Sequence, residues 1–556
     1  MSTRAFVVGW LVVGAACRQV PPAPPPAPSP APAQTAKPPA PRNIDWPAYN
    51  NTLTGERFAA VPGLGPAEIK NLQRVCSYDT RKDTSAQTGP IAIDGTLYLT
   101  DDDSVYAVDA ATCRERWRHH RAVDPPGMLR NNHGVAFLDG KLVRGYADGR
   151  VIAIDARTGR ELWSVTLADP RKGESMPAAP IAWNGLVYVG TAGGDMYGVR
   201  GRIYALRIGD GHTDWRFDVI PDTPEVLATW PKADTRNLPT GGGLWTSFSL
   251  DTQDNVLYAS AGNAAPDFML ALRPGKSLYT NAVLAIDARA GTLLAYVQPI
   301  GDDEHDHDVA AAPALIATRG GKQLALTAAK DGRAYGIEVH NLRTQPELVV
   351  GYHVDTTTRE NLDTRLNTKT PVRFCPGTQG GSEWNGAAYS PQLNTAFVGA
   401  VDWCTTIRLR PPEKLLAQAK PNAPFTGTDD DQAPFGAMDP PAKWRGWLTA
   451  FDADSGQIKW RYQTPAPILA GVTVTEGGVV LAADLKGTLR AFDGTTGDVL
   501  WQDRAGNATG GGLIAYAVAG RPYIAVVTGQ PSPLWPVDPK ATAQVVVYSP
   551  TAPTAK

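Results

Sequence analysis

The chain has no C-x-x-C-H, no G-x-S-x-G, no H-E-x-x-H and no Ser-His-Asp arrangement that stands out. The first absence excludes a covalently attached c-type haem within the chain, and the others leave a hydrolase little support. There is almost no charge imbalance: 53 basic and 55 acidic side chains give a formal net charge of -2. With no basic arm and no RNA-binding signature, a nucleic-acid partner is not expected. The apolar run near the start, Ala5 to Ala16, is too short to span a bilayer as a mature helix. Preceded by Arg4 and followed by Cys17, it reads as an export signal over residues 1–17. It ends either at a lipid-bearing cysteine or at an ordinary cleavage site. Both alternatives send the protein to the periplasm or cell envelope, and the first adds membrane attachment by an N-terminal lipid. Residues 18–42 are a proline-rich, polyproline-type spacer with nothing to bury, and residues 551–556 are a tail. The other four cysteines, Cys76, Cys113, Cys375 and Cys404, form an even set for which an exported chain predicts disulfides.

Glycine is plentiful, at 55 residues, and so is tryptophan, at 15. Many of both fall in one pattern that recurs six times: VYAVDAATCRERW from Val105, VIAIDARTGRELW from Val151, IYALRIGDGHTDW from Ile203, VLAIDARAGTLLA from Val283, LTAFDADSGQIKW from Leu448 and LRAFDGTTGDVLW from Leu489. Each copy is an alternating apolar strand, a tight turn that in most copies reads Asp-x-x-x-Gly with glycine taking positive φ, and a returning strand that usually carries an aromatic. Further turn signals at Asp94-Gly95, Asp139-Gly140, Asn184-Gly185 and Asp331-Gly332 make the unit a small antiparallel sheet. Sheets repeating at this period cover one another's faces as the blades of a propeller, here residues 43–550. The intervals from Ile203 to Val283 and from Val283 to Leu448 are too long for one blade each and are expected to hold degenerate blades and insertions. TAAKDGRAYGIEV and GAAYSPQLNTAFVGAV look like two such blades. Ring closure is expected to bring the strands near Tyr523 and Val545 against the first ordered segment near Trp46. Residues 408–444, rich in Pro and Asp, read as a solvated loop by default and as a lid over the site in the alternative.

Four segments between the repeats carry a resemblance: GVRG at Gly198, LWTSFSLDTQDNVLYASAGNAAP from Leu244, GDDEHDHD from Gly301 and GGSEWNGAAYSP from Gly380. In order and spacing they resemble the pyrroloquinoline quinone (PQQ) dependent alcohol dehydrogenases, over nearly the whole of the chain from Asp45 to Gln530. The resemblance implies an all-β, eight-bladed propeller of four-stranded antiparallel blades. It implies PQQ and a calcium or lanthanide ion as cofactors, a small alcohol as substrate, and a separate cytochrome c or other acceptor for the electrons. Trp245 matches the floor on which the quinone stacks, Asn263 an amide ligand of the ion, and Asp306 the catalytic carboxylate, which also meets the ion. Asp308 matches an extra carboxylate of lanthanide-using members. It shares a face with Asp306 on an extended segment, so both could reach one ion. Lys330 matches a cation that contacts the quinone. The resemblance also supports pairing Cys375 with Cys404.

The chain departs from the family's pattern at several positions. The metal-binding glutamate falls at Met196, with Asp195 beside it as the substitute. A vicinal cysteine pair that covers the quinone falls at Gly127 and Met128, and an arginine falls at His133. A Thr and a Ser that contact the quinone carboxylates fall at Pro177 and Gly193, and an asparagine falls at Glu383. These losses favour a rival reading, a non-catalytic scaffold or ligand-binding propeller of the envelope. The retained series Trp245, Asn263, Asp306 and Asp308 favours the enzyme. A softer transition-metal site at His305 and His307 is a third possibility.

Overall fold

The computed structural model describes residues 42–230 and 236–550, besides residues 7–10 and 14. Cys17, nearly all of the expected leader and spacer, and the tail lie outside these. Among the described residues, no helix is long and apolar enough to cross a membrane.

The repeat forms the third and fourth strands of a blade. In the first blade, Ile91–Ile93, Thr96–Thr100, Ser104–Asp109 and Glu115–His120 pair in order as an antiparallel sheet. The first copy, Val105 to Trp117, covers its third and fourth strands. The Asp of the turn caps it: Asp109 Oδ1 accepts from the N–H groups of Ala111 and Thr112 at 3.1 and 2.9 Å. Seven more blades follow at residues 136–166, 181–218, 248–297, 314–355, 388–464, 473–504 and 513–550. The seventh gains a short parallel edge strand, Phe58–Ala59. The eighth has three strands from the C-terminal end and takes its fourth, Leu72–Asp79, from near the N-terminal end, paired antiparallel with Gln544–Pro550. The eight-bladed, all-β architecture is therefore as expected. The ring closes through residues 72–79, whereas the segment near Trp46 bridges the seam, with Ile44 pairing with Ala517 and Trp46 with Ala92.

The aromatic at the end of the repeat joins one blade to the next. Trp117 donates from Nε1 to the carbonyl of Ala156 in the second blade, Trp163 to Ile208 in the third, Trp215 to Ala288 in the fourth, and Trp460 to Gly494 in the seventh, at 3.0–3.1 Å. Each ring lies flat on the turn glycine of that neighbour. A Cβ at Gly159, Gly211, Gly291 or Gly497 would stand only 2.6–2.7 Å from the indole, so the glycine is required for contact as well as for its positive φ. The fourth copy ends in Ala295 instead, and the fifth blade, which follows it, has no copy of the turn. In the fifth blade Tyr352 takes over, donating to Ala453 of the sixth at 2.8 Å.

The two long intervals differ. Between Val283 and Leu448 lie the whole fifth blade and half of the sixth, which contain the two segments singled out as degenerate blades. Between Ile203 and Val283 the described residues form no extra blade. The added length lies in the connection that enters the fourth blade and in the link between that blade's second and third strands, residues 262–281. These segments bury Val219, Ile220, Val226 and Trp230 against the third and fourth blades, so their apolar content packs loops and forms no new sheet. Both disulfides are present. Cys76 to Cys113 ties the closing strand to the first blade, and Cys375 to Cys404 joins two strands of a small outer sheet made of Val372–Phe374, Thr405–Ile407 and Ala437–Met438.

Candidate active site

In an up-and-down blade, the start of the first strand and the end of the second lie at the same end of the sheet. The family-like segments occupy these two positions, and their loops converge at one mouth of the ring. Asp195 follows the second strand of the third blade, Asn263 and Asp267 that of the fourth, and Lys330 that of the fifth. Trp245, Asp306 with Asp308, and Glu383 precede the first strands of the fourth, fifth and sixth blades. All of these except the fully buried Asp267 line a cavity of ≈ 640 Å³ that Phe435, Trp384, Leu534 and Trp535 also enclose.

Lys330 is the central cation. Its buried Nζ donates to Asp306 Oδ2 at 2.9 Å and Asp308 Oδ2 at 3.4 Å, while its own N–H donates to the Asp308 carbonyl. Asp308 Oδ1 also accepts from the Asn263 N–H at 2.7 Å. Gly262 makes this contact possible, since a Cβ there would stand 2.6 Å from that oxygen. Asp306 has φ +61, a left-handed conformation uncommon for a residue with a side chain. Burial raises the pKa of Asp306 well above the usual carboxylate range, with Lys330 pulling the other way. Burial also pushes Glu383 up to about 7, again against Lys330, and leaves its Oε1 without a partner.

Sequence reasoning missed Asp267. Oxygens of Asp195, Asp267 and Asp306 all lie within 4.8 Å of one another. Asp267 is fully buried and neither of its oxygens has a hydrogen-bond partner. Its pKa stands well above the ordinary value, first through burial and then through Asp195 and Asp306. Asp195 is raised to about 7, by burial and then by Asp308. Only position could have pointed to Asp267, four residues after Asn263 on the same loop. Met196 turns away from this cluster and packs on Gly173, where a Cβ would meet its Cγ at 2.6 Å. The 408–444 segment is no solvated loop. It buries Leu415, Leu416 and Phe425 beside Phe268 and Met269, and the Phe425 N–H donates to the Asp195 carbonyl at 2.7 Å.

His133 stands apart from the other expected residues. It is fully buried behind the cavity wall, 6.1 Å from the Trp245 ring and 5.5 Å from Trp384, and burial lowers its pKa to about 3. Arg130, three residues earlier, is the cation that reaches the cavity from this loop. His305 and His307 point away from the cavity, stack at 5.3 Å and meet Asp303 in a second group of donors. The charge of Asp303 is already met. Its oxygens accept from the N–H groups of His305 and His307, and its pKa is lowered despite burial, chiefly by His307 and Arg273.

The donors around Asp267 suit a hard cation, since they are carboxylate oxygens and both of those on Asp267 itself lack any partner. The cavity also suits a flat, anionic ring system. Trp245 offers a face and Lys330 and Arg130 offer charge. Gly194 and Gly243 keep two loops close enough that a Cβ on either would stand 3.1–3.4 Å from the other's backbone N.

Comparison with known proteins agrees with this arrangement. Residues 46–341, more than half of the chain, match the family model described as PQQ, glucose/ethanol/alcohol dehydrogenase, beta-propeller domain. Residues 442–542 match that of the outer membrane protein assembly factor BamB. The chain is 27% identical over 523 residues to a quinohemoprotein alcohol dehydrogenase of Comamonas testosteroni, covering 88% of this chain and 73% of that one. It is 28% identical over 534 residues to the quinoprotein alcohol dehydrogenase PedH of Pseudomonas putida, covering 87% and 86%. A europium-containing methanol dehydrogenase superposes with a TM-score of 0.78 at 22% identity, over 91% of this chain and 98% of the other, a likeness of fold. On this evidence the chain belongs to the PQQ dehydrogenase family of β-propellers.

Proposed function

We propose that this protein is an exported dehydrogenase that oxidises an alcohol or related hydroxyl substrate, using PQQ and a calcium or lanthanide ion, and that it passes the electrons to a separate cytochrome c or other acceptor. The observation that carries the reading is the meeting of Asp306, Asp308, Lys330, Asn263 and Trp245 around one cavity. The two disulfides support an oxidising compartment. A scaffold would have no use for a fully buried, unpartnered Asp267.

When bound, the quinone supplies a two-electron acceptor and the ion a Lewis acid. Asn263, Asp195, Asp306 and Asp308 would hold the ion, and Trp245 and Lys330 would contact the quinone. Asp306 accepts the hydroxyl proton of the substrate. Lys330 fixes the orientation of that carboxylate through its 2.9 Å bond. Phe435, Trp384, Leu534 and Trp535 exclude water from the mouth and present an apolar surface to the carbon chain of a substrate.

The test is reconstitution of the purified protein with PQQ and either calcium or a lanthanide, followed by dye-linked oxidation of a panel of alcohols. Turnover should require both additions and should fall by about 10²-fold or more in Asp306→Asn, the scale of a lost general base. Failure of the folded protein to bind quinone with any ion would refute the proposal.

A further inference from the structure

We infer that Asp267 replaces the family's missing glutamate as a ligand of the metal ion, and that the resulting set of four carboxylates, Asp195, Asp267, Asp306 and Asp308, selects a trivalent ion over calcium. This rests on the reading of the site given above.

Three observations carry it. First, Asp267 is fully buried with two unpartnered oxygens, the costliest state for a carboxylate unless a cation meets it. Second, the neighbouring cations are engaged elsewhere. Lys330 donates to Asp306 and Asp308. Arg273 spends its guanidinium on backbone carbonyls, those of Pro266, Asp267 and Asp303, at 2.7–2.9 Å. Third, those same bonds fix the position of Asp267. Arg273 ties its loop to the loop of Asp306, and the N–H of the next residue, Phe268, donates to Thr426 at 2.9 Å. The carboxylate is thus held within 4.8 Å of oxygens from Asp195 and Asp306. At the position of the lost glutamate, the thioether of Met196 is too soft to bind a hard cation, and it is packed away on Gly173. The missing ligand therefore returns from a different blade, the fourth in place of the third. Four carboxylates, with Glu383 close to Lys330, outnumber the ammonium of Lys330 and the guanidinium of Arg273, and they leave a surplus of negative charge that a trivalent ion meets more fully than a divalent one.

The experiment uses the full chain, stripped by a chelator and titrated with Eu³⁺ alone, without quinone. Its readouts are Eu³⁺ luminescence, the lifetimes in H₂O and D₂O that count inner-sphere waters, and displacement by Ca²⁺. In Asp267→Asn, Eu³⁺ should bind about tenfold or more weakly, an additional inner-sphere water should appear, and the preference for Eu³⁺ over Ca²⁺ should fall. The stripped variant should melt above the stripped parent, because an unmet buried charge has been removed. Equal affinity and equal lifetimes in parent and variant would overturn the role of Asp267 while leaving the metal and quinone reading intact. A lower melting temperature for the stripped variant would overturn it too, by giving the carboxylate a structural role. If the parent itself takes up no Eu³⁺, the metal site and the inference fail together.

Discussion

Glu383 offers a test of the site's electrostatics that needs neither quinone nor ion. It is 7% exposed, with Oε1 unpartnered. Burial, with a smaller push from Asp308, raises its pKa from 4.5 to about 7 against the pull of Lys330. A carboxyl whose folded pKa is raised favours the protonated folded protein. Its ionisation therefore costs stability progressively as pH rises from about 4.5 to about 7, and the cost is constant above that. At about 1.4 kcal/mol per decade, the displacement is worth about 3 kcal/mol. Glu383→Gln keeps the shape and removes the charge. In urea unfolding of the ion-free protein, followed by tryptophan fluorescence, parent and variant should unfold alike near pH 4.5. The variant should gain steadily through the window and be about 3 kcal/mol more stable at pH 9. All other titrating groups are common to both proteins and cancel to first order. A stability difference that is the same at pH 4.5 and pH 9 would refute the assignment of a buried, titrating Glu383.

Two further outcomes are expected. Lys330→Met leaves Asp306 and Asp308 facing each other unpaired and should cost about 3–5 kcal/mol in the ion-free protein, with added lanthanide restoring much of the loss in the same urea assay. Replacing Cys76 and Cys113 together by Ser opens a link across 37 residues and should lower stability by about 4 kcal/mol on chain-entropy grounds, read as a shift in the urea midpoint under non-reducing conditions.

Much of the fold could be read in the chain because its repeat encodes contacts as well as strands. The Asp-x-x-x-Gly turn and the tryptophan after it are two halves of one joint between neighbouring blades, so six copies gave the architecture. The long interval after Ile203 misled because loop residues such as Val226 and Trp230 are as apolar as strand residues and differ only in what they pack against. At the site, Trp245, Asn263, Asp306, Asp308 and Lys330 each lie in a segment of recognisable order, and the fold brings all five to one cavity. His133 was placed at the quinone by position alone, and the structure puts it behind the wall. Asp267 was invisible because an Asp after a Pro in a loop reads as a turn. Its significance comes from burial and from Asp195, 72 positions earlier in the chain, which only the closed ring brings near.

The way the ring closes also governs its synthesis. Since Leu72–Asp79 must wait for Gln544–Pro550, a chain cut short anywhere before the last blade would leave that strand with unpaired edges and the blade faces on either side of the gap uncovered. Unpaired edges are templates for pairing with other chains. A truncated or nicked protein would therefore be prone to aggregate, and only the complete chain satisfies its own edges.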